Sequence, residues 1–129
     1  MKLRPQYHLR NSERGLLAWD VALLIKKAAH LKPIEVQLSD IAELDEQHWF
    51  NLEGDLPTCR KIAEHGRLIE AADLAYPIIV DNEYRVMDGM HRVCKALNLG
   101  AKTILAYRFP ELPEPDYIGV SPSELPYEH

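Results

Sequence analysis

The amino-acid sequence predicts a single α+β domain in which helices cover a small mixed sheet, with a long helix near the N-terminus. Three observations lead to this fold class. Apolar residues recur at steps of three and four over 12–31, the period of an amphipathic helix. Residues 34–38 alternate between apolar and polar, as a half-buried strand does. The stretch 76–107 has the pattern strand, turn, strand, helix, strand.

Length and composition limit the function classes. The chain has 129 residues, of which 47% are hydrophobic and 27% charged, so it is one folded domain rather than a disordered or collagen-like chain. Its net charge of −5 argues against non-specific binding to nucleic acid and against attachment to an anionic membrane. No apolar run approaches the ~20 residues that cross a bilayer, and no signal peptide is evident. We therefore expect a cytoplasmic protein.

The N-terminal part is predicted as a loose polar arm over 1–11 followed by a helix over 12–31. Asn11 or Ser12 can cap this helix, and Pro33 ends it because the residue before a proline is pushed out of the helical conformation. Its apolar stripe consists of Leu17, Val21, Leu24, Ala28 and Leu31. The apolar residues off that stripe are Leu16, Trp19 and Leu23. A helix that is apolar on several sides packs on two surfaces or forms a homodimer.

The central part is predicted as a strand over 34–38, short helical pieces to about residue 50, and a helix whose first turn contains Pro57. The apolar stripe of that helix consists of Cys59, Ile62, Gly66 and Ile69. Gly66 either lets another backbone approach closely or ends one helix before a second. Cys59 and Cys94 both fall in apolar helical patterns, which predicts two buried, unreactive thiols or one disulfide.

The C-terminal half is predicted to contain a hairpin of strands 76–80 and 84–87, a helix over 89–99 and a strand over 103–107. Asp81-Asn82-Glu83 supplies the hairpin turn, and Gly100 suits the left-handed position after the helix. Five of the nine prolines lie within 110–129. This proline-rich tail either wraps the domain, which spans 12–109, or stays mobile.

The segment Asp88-Gly89-Met90-His91-Arg92 joins a predicted strand to a predicted helix, and it carries the chemistry of this sequence. The first amides of a helix lack intrahelical partners and sit at the positive end of its dipole. Gly89 lets a bulky oxyanion approach, and Arg92 can hold a phosphate through two parallel hydrogen bonds. We expect a phosphate here, oriented by His91, with Asp88 helping to hold a divalent cation. Alternatively, the turn is structural and Asp88 is a plain N-cap.

The helical wheel separates the roles of these side chains. Met90 shares a face with Val93, Cys94 and Leu97, so its side chain is predicted to fill the core. His91 and Arg92 point elsewhere and are free to meet a ligand. His65 flanks an apolar stripe and is interpreted as a half-buried histidine with satisfied hydrogen bonds rather than a catalytic one.

Residues 78–109, with the letters IIVDNEYRVMDGMHRVCKALNLGAKTILAYRF, resemble the ParB/sulfiredoxin-like superfamily. The family is marked by a strand, a D-G-x-H-R or G-x-x-R turn, a helix that ends in Gly, and a further strand. The resemblance implies a small α+β fold that binds nucleotide phosphates at the turn, with ATP or CTP and Mg²⁺ as candidate cofactors and with phosphoryl transfer or hydrolysis as candidate reactions. It also implies that a basic residue of the preceding helix, here Arg60 beside Thr58, lies near the phosphates. From the residues alone, Arg60 can equally be a solvated surface residue and Thr58 a helix cap.

Departures from the family pattern restrict what the resemblance implies. Met90 stands where sulfiredoxins have their reacting Cys, which excludes sulfiredoxin chemistry. Met90 and His91 also replace the acid and the first Arg that serve the CTP–magnesium switch of chromosome-partitioning ParB proteins. The free-serine kinases of the superfamily carry D-G-H-H-R, the form nearest to this turn, but their general base has no clear counterpart here. Glu35 or Glu53 is a candidate base if the fold brings it to the cleft.

Two further interpretations come from other function classes. In the first, the chain is a non-catalytic accessory or partner-binding module of a DNA-linked system, and the Trp19 face or the proline-rich tail binds the partner. In the second, the chain is a nuclease, but no set of carboxylates is arranged for two metal ions. The spacing of the histidines likewise gives no support for a metal site.

Overall fold

The computed structural model describes residues 6–50 and 54–127, and these residues form an α+β fold with two sheets. The strands are β1 (Tyr7–Arg10), β2 (Leu17–Asp20), β3 (Ile34–Gln37), β4 (Ile78–Val80), β5 (Val86–Asp88), β6 (Thr103–Arg108) and β7 (Tyr117–Ile118). The helices are α1 (Val21–Ala28), α2 (Cys59–Ala71) and α3 (Met90–Asn98), with short 3-10 turns at Leu38–Asp40, Ala42–Asp45 and Pro122–Glu124.

The larger sheet has the strand order β3-β6-β4-β5 and confirms the predicted mixed sheet. β4 and β6 run parallel, whereas β3 with β6 and β4 with β5 run antiparallel. The predicted hairpin is β4–β5, and the Asp81 carboxylate closes its turn by accepting from the amides of Glu83 and Arg85. The core between this sheet and α3 consists mainly of Val36, Ile78, Val80, Val86, Met90, Val93, Ile104 and Ala106.

The predicted helix over 12–31 is wrong in its first half, because Leu17–Asp20 is a strand and α1 begins only at Val21. Asp20 caps α1 by accepting from the amide of Ala22 at 2.9 Å. All four residues of β2 are buried, so the strand lacks the alternation that marks a half-buried strand in a sequence. The loose arm predicted over 1–11 is also wrong where it is described, since Tyr7–Arg10 pairs with β2 as β1. Residues 1–5 lie outside the described ranges.

The proline-rich tail wraps the domain, which decides between the two alternatives for residues 110–127. β7 pairs with β2 and completes a three-stranded antiparallel sheet of order β1-β2-β7. The indole nitrogen of Trp19, which is fully buried, donates to the carbonyl of Pro113 at 2.8 Å. The hydroxyl of Tyr7 donates to the carbonyl of Pro126. The last two residues, 128–129, lie outside the described ranges.

Helix α2 lies on the surface, contrary to the buried stripe predicted for it. None of its described side chains is buried, and Cys59 is exposed. Gly66 lies inside one continuous helix, and a Cβ added there would meet nothing within 4 Å, so nothing in the structure explains this glycine. The end of α2 is fastened to α3 by Lys95, whose ammonium group donates to the carbonyls of Glu70 and Ala72 at 2.8 and 2.7 Å.

Helix α3 follows the prediction closely. Gly89 precedes it with a φ of +105°, and Gly100 follows it with a φ of +77°. Met90, Val93 and Ala96 form its buried face, whereas the predicted core residue Leu97 is 51% exposed and Cys94 is half-buried. Both cysteines are free thiols. Among the helices of the described ranges, none is long and apolar enough to cross a membrane.

Candidate functional site

The turn between β5 and α3 has Gly89, not Asp88, as the N-cap residue of the helix. The left-handed conformation of Gly89 favours glycine, and a Cβ added there would lie 2.6 Å from Cγ2 of Ile78. No side chain of the described residues caps the first turn of α3, so the predicted N-cap role of Asp88 is wrong. The first amides of α3 therefore lack the side-chain acceptor that most helix starts have.

A cavity of about 590 Å³ opens beside this turn, a volume within the range typical of small-molecule sites. Its wall is mainly apolar and is formed by α1, the end of α2, the segment before β4, and the β5–α3 turn. The apolar wall includes Ile25, Ala28, Ala29, Leu68, Ala71, Ala72, Pro77, Ile79 and the rings of Tyr76 and Tyr107. Polar groups enter at one end through Asp88, Gly89, His91 and Arg92, and elsewhere through Asp73.

Arg92 binds the protein's own backbone at the edge of this cavity. Its Nη1 donates to the carbonyls of Tyr76 and Pro77 at 2.8 and 2.7 Å, and its Nη2 donates to Oδ2 of Asp88 at 2.8 Å. These bonds use three of the five N–H groups of the guanidinium. Arg92 therefore holds the segment before β4 against α3 and keeps the Asp88 carboxylate in place.

His91 lines the cavity and also belongs to an aromatic cluster. Its Nε2 lies 2.8 Å from Nδ1 of His65, and the two rings stack on Trp49 with centroid distances of 4.5 and 4.2 Å. Burial, with a smaller effect of His65 and of His48, lowers the pKa of His91 from 6.5 to about 4. At neutral pH, His91 can accordingly donate or accept a hydrogen bond but carries no positive charge.

Thr58 and Arg60 are not among the residues that line this cavity. Thr58 is the N-cap of α2, with its hydroxyl accepting from the amide of Lys61 at 3.2 Å, and Arg60 is exposed in the first helical turn. The cavity is lined instead by the last turn of this 13-residue helix, which is about 20 Å long. Of the two candidate bases, Glu35 lies exposed on β3 away from the cavity wall, and Glu53 lies outside the described residues.

Several lining residues could not be found from the sequence. Asp73, Tyr76 and Tyr107 carry no motif, and the alanine pairs 28–29 and 71–72 look like ordinary helical residues. The small side chains of these alanines leave the space of the cavity open. That role depends on how the helices pack and is not visible in the sequence. The predicted half-burial and hydrogen bonding of His65 are confirmed.

Over residues 6–50 and 54–127, no group of three or more His, Cys, Asp or Glu side chains is placed to hold a metal ion. Comparison of the chain with protein-family models, with curated proteins and with solved structures finds no match.

Proposed function

We propose that this chain, as a member of the ParB/sulfiredoxin-like superfamily, binds a nucleotide or another small phosphorylated molecule at the β5–α3 turn. One observation carries the proposal: the start of α3, preceded by Gly89 and free of a side-chain cap in the described residues, lies at the wall of the 590 Å³ cavity. Uncapped helix amides with the positive end of a helix dipole bind phosphate and other anions.

The remaining wall suits the other parts of a nucleotide. A base would lie against the apolar surface near Tyr76, which is 67% exposed, and Tyr107. The end of α2 presents the negative end of its dipole beside Asp73, and both favour the hydrogen-bond donors of a sugar or a base. A ligand with an anionic end, a planar apolar body and donor groups matches this distribution.

The roles proposed for His91 and Arg92 follow from their contacts. Arg92 supplies positive potential and fixes the geometry of the turn, and its remaining N–H groups are available to a phosphate. His91 orients the ligand as a neutral ring. The Asp88 carboxylate pairs with Arg92, so we propose binding and no reaction. Phosphoryl transfer or hydrolysis with ATP or CTP would require Mg²⁺ to compete with Arg92 for this carboxylate.

The second candidate is a non-catalytic partner-binding module, but it cannot use the Trp19 face, because Trp19 is fully buried. The observation that favours it is the apolar rim of the same cavity. Ile25 and Leu68 are each 52% exposed and border the opening together with Tyr76. An apolar side chain of a partner protein would occupy the cavity in place of a base.

Thermal unfolding with ATP, ADP, CTP and inorganic phosphate, each with and without Mg²⁺, tests the proposal, because a ligand that binds only the folded state raises Tm. Ala71→Phe fills the cavity from an exposed position of α2, and Ala63→Phe is its matched control on the same helix away from the cavity. We expect a nucleotide shift that Ala71→Phe abolishes and Ala63→Phe keeps. No shift with any of these compounds, together with capture of a partner protein that Ala71→Phe prevents, favours the second candidate.

A further inference from the structure

A second cavity, of about 570 Å³, lies between β1, the segment that includes Glu43 and Trp49, and Arg85 on the β4–β5 hairpin. Unlike the first cavity, it is lined mainly by polar and aromatic side chains. Those that matter for its chemistry are Tyr7, Arg10, Glu43, Trp49, Asp55 and Arg85.

Glu43 is a buried carboxylate with only one of its two oxygens satisfied. Its side chain is 2% exposed, and Oε2 accepts from the amide of Val86 at 2.5 Å and lies 3.7 Å from Nε of Arg85. The other oxygen, Oε1, has no hydrogen-bond partner within the described ranges. Buried carboxylate oxygens are nearly always paired, so the described residues lack a donor for Oε1 of this cavity-lining side chain.

The charges around the cavity show which donor is favoured. Arg10 pairs with Asp81 at 2.8 Å, and Arg85 donates twice to Glu46 at 2.8 and 2.7 Å. Glu43, Glu46 and Asp55 line the cavity, so three carboxylates face the two guanidinium groups of Arg10 and Arg85.

The two histidines of this wall do not offset the negative charge. Burial lowers the pKa of His8 to about 3 and also lowers the pKa of His48, so both rings are neutral at pH 7. The excess charge favours a cation as the donor for Glu43.

Aromatic rings give the cavity a surface for the apolar part of such a ligand. The centroids of His65 and His91 are only 5.1 Å apart, although each lies about 4 Å from the ring of Trp49, so both histidines cover the same face of the indole. The indole and the ring of Tyr7 both border the cavity. Rings of this kind attract organic cations through their electron-rich faces.

We propose that this second cavity binds a small organic cation, an amidinium, guanidinium or primary ammonium compound, that donates to Oε1 of Glu43 and packs on Tyr7 and Trp49. An acceptor atom on the same ligand would also accept a hydrogen bond from Nη2 of Arg10, a second buried group without a partner in the described residues. The inference does not depend on the proposed nucleotide site, because none of the described residues lines both cavities.

Three probes of the same size and shape test the charge and the donor separately: benzamidine, benzamide and benzoate. Binding to the intact protein is measured by calorimetry and by the fluorescence of Trp49, in a Trp19→Phe background for the optical signal. We expect saturable binding of benzamidine, at least tenfold weaker binding of benzamide, and no binding of benzoate. Preference for benzoate, equal affinity for all three probes, or no saturable binding would overturn the proposal and assign Oε1 to a trapped water.

A matched pair of variants assigns the binding to Glu43. Glu43→Gln keeps the shape and the acceptor for Val86 but removes the charge, and Glu35→Gln makes the same change on the exposed face of β3. We expect benzamidine affinity to fall at least tenfold in Glu43→Gln and to change less than twofold in Glu35→Gln. Unchanged affinity in a folded Glu43→Gln variant contradicts the proposal. If Glu43→Gln does not fold, the probe series on the unmodified protein decides whether the proposal holds.

Discussion

Arg92→Ala is predicted to destabilise the fold strongly, whatever the ligand of the site. The side chains of Arg92 and Asp88 are 17% and 22% exposed, and the change removes the three hydrogen bonds to Tyr76, Pro77 and Asp88. At about 1 kcal/mol for each bond, the free energy of unfolding should fall by about 3 kcal/mol. For a chain of this length the loss corresponds to a decrease in Tm of roughly 10 °C.

Urea unfolding followed by circular dichroism measures this loss, with Arg60→Ala as the control on an exposed position of α2. The control should change the free energy of unfolding by less than about 0.5 kcal/mol. The free energy of unfolding of Arg92→Lys should lie between those of Arg92→Ala and Arg60→Ala, because one ammonium group cannot reproduce the planar fork of the guanidinium. An Arg92→Ala variant as stable as Arg60→Ala would refute the structural role of this side chain.

The Gly89 turn, the His91 ring and the two cysteines lead to three further predictions. Gly89→Ala should lower the free energy of unfolding by at least about 2 kcal/mol in urea, because it combines a left-handed residue with a Cβ only 2.6 Å from Ile78. Stability should decrease as pH falls from 6.5 towards 4, since the lowered pKa of His91 makes the unfolded chain bind a proton first, and urea titrations of His91→Gln should show a weaker decrease over that range. A thiol reagent should modify Cys59 rapidly and Cys94 slowly, because Cys59 is exposed while burial raises the pKa of Cys94.

Each of these predictions has a distinct contrary result. A Gly89→Ala variant with unchanged stability would mean that the turn relaxes freely. Equal pH profiles of stability for His91→Gln and the unmodified protein would mean that His91 does not cause the loss of stability in acid. The other histidines with lowered pKa values would then account for that loss. Equal rates of modification at the two cysteines would contradict the difference in their burial.

The second half of the fold could be predicted because its signals are local. The turn residues after β4, the glycines on either side of α3, and the apolar alternation of β6 each act within a few residues of chain. Gly89 and Gly100 both adopt the positive φ that their positions at the helix ends require. In these elements, local propensity and tertiary packing agree.

The N-terminal part could not be predicted, because its structure depends on distant chain. β2 pairs with β7, which lies about a hundred residues later in the chain. Because β2 is buried on both faces, its residues do not show the apolar–polar alternation that identifies a strand in a sequence. The apolar stripe of α2 was predicted as a helix correctly but is exposed rather than buried. Helical spacing of apolar residues does not reveal whether another part of the protein covers them. The first cavity is likewise assembled from α1, α2 and the β5–α3 turn.

Amide chemical shifts measured by NMR during titration with phosphate and then with a nucleotide test the central proposal most directly. The backbone amides of Gly89, Met90, His91 and Arg92 are the groups proposed to hold the phosphate. We predict saturable shifts that are largest at these four amides and that extend to Tyr76 and Tyr107 only when the ligand carries a base. Shifts that leave these amides unchanged while spreading over surface lysines and arginines would contradict the phosphate site.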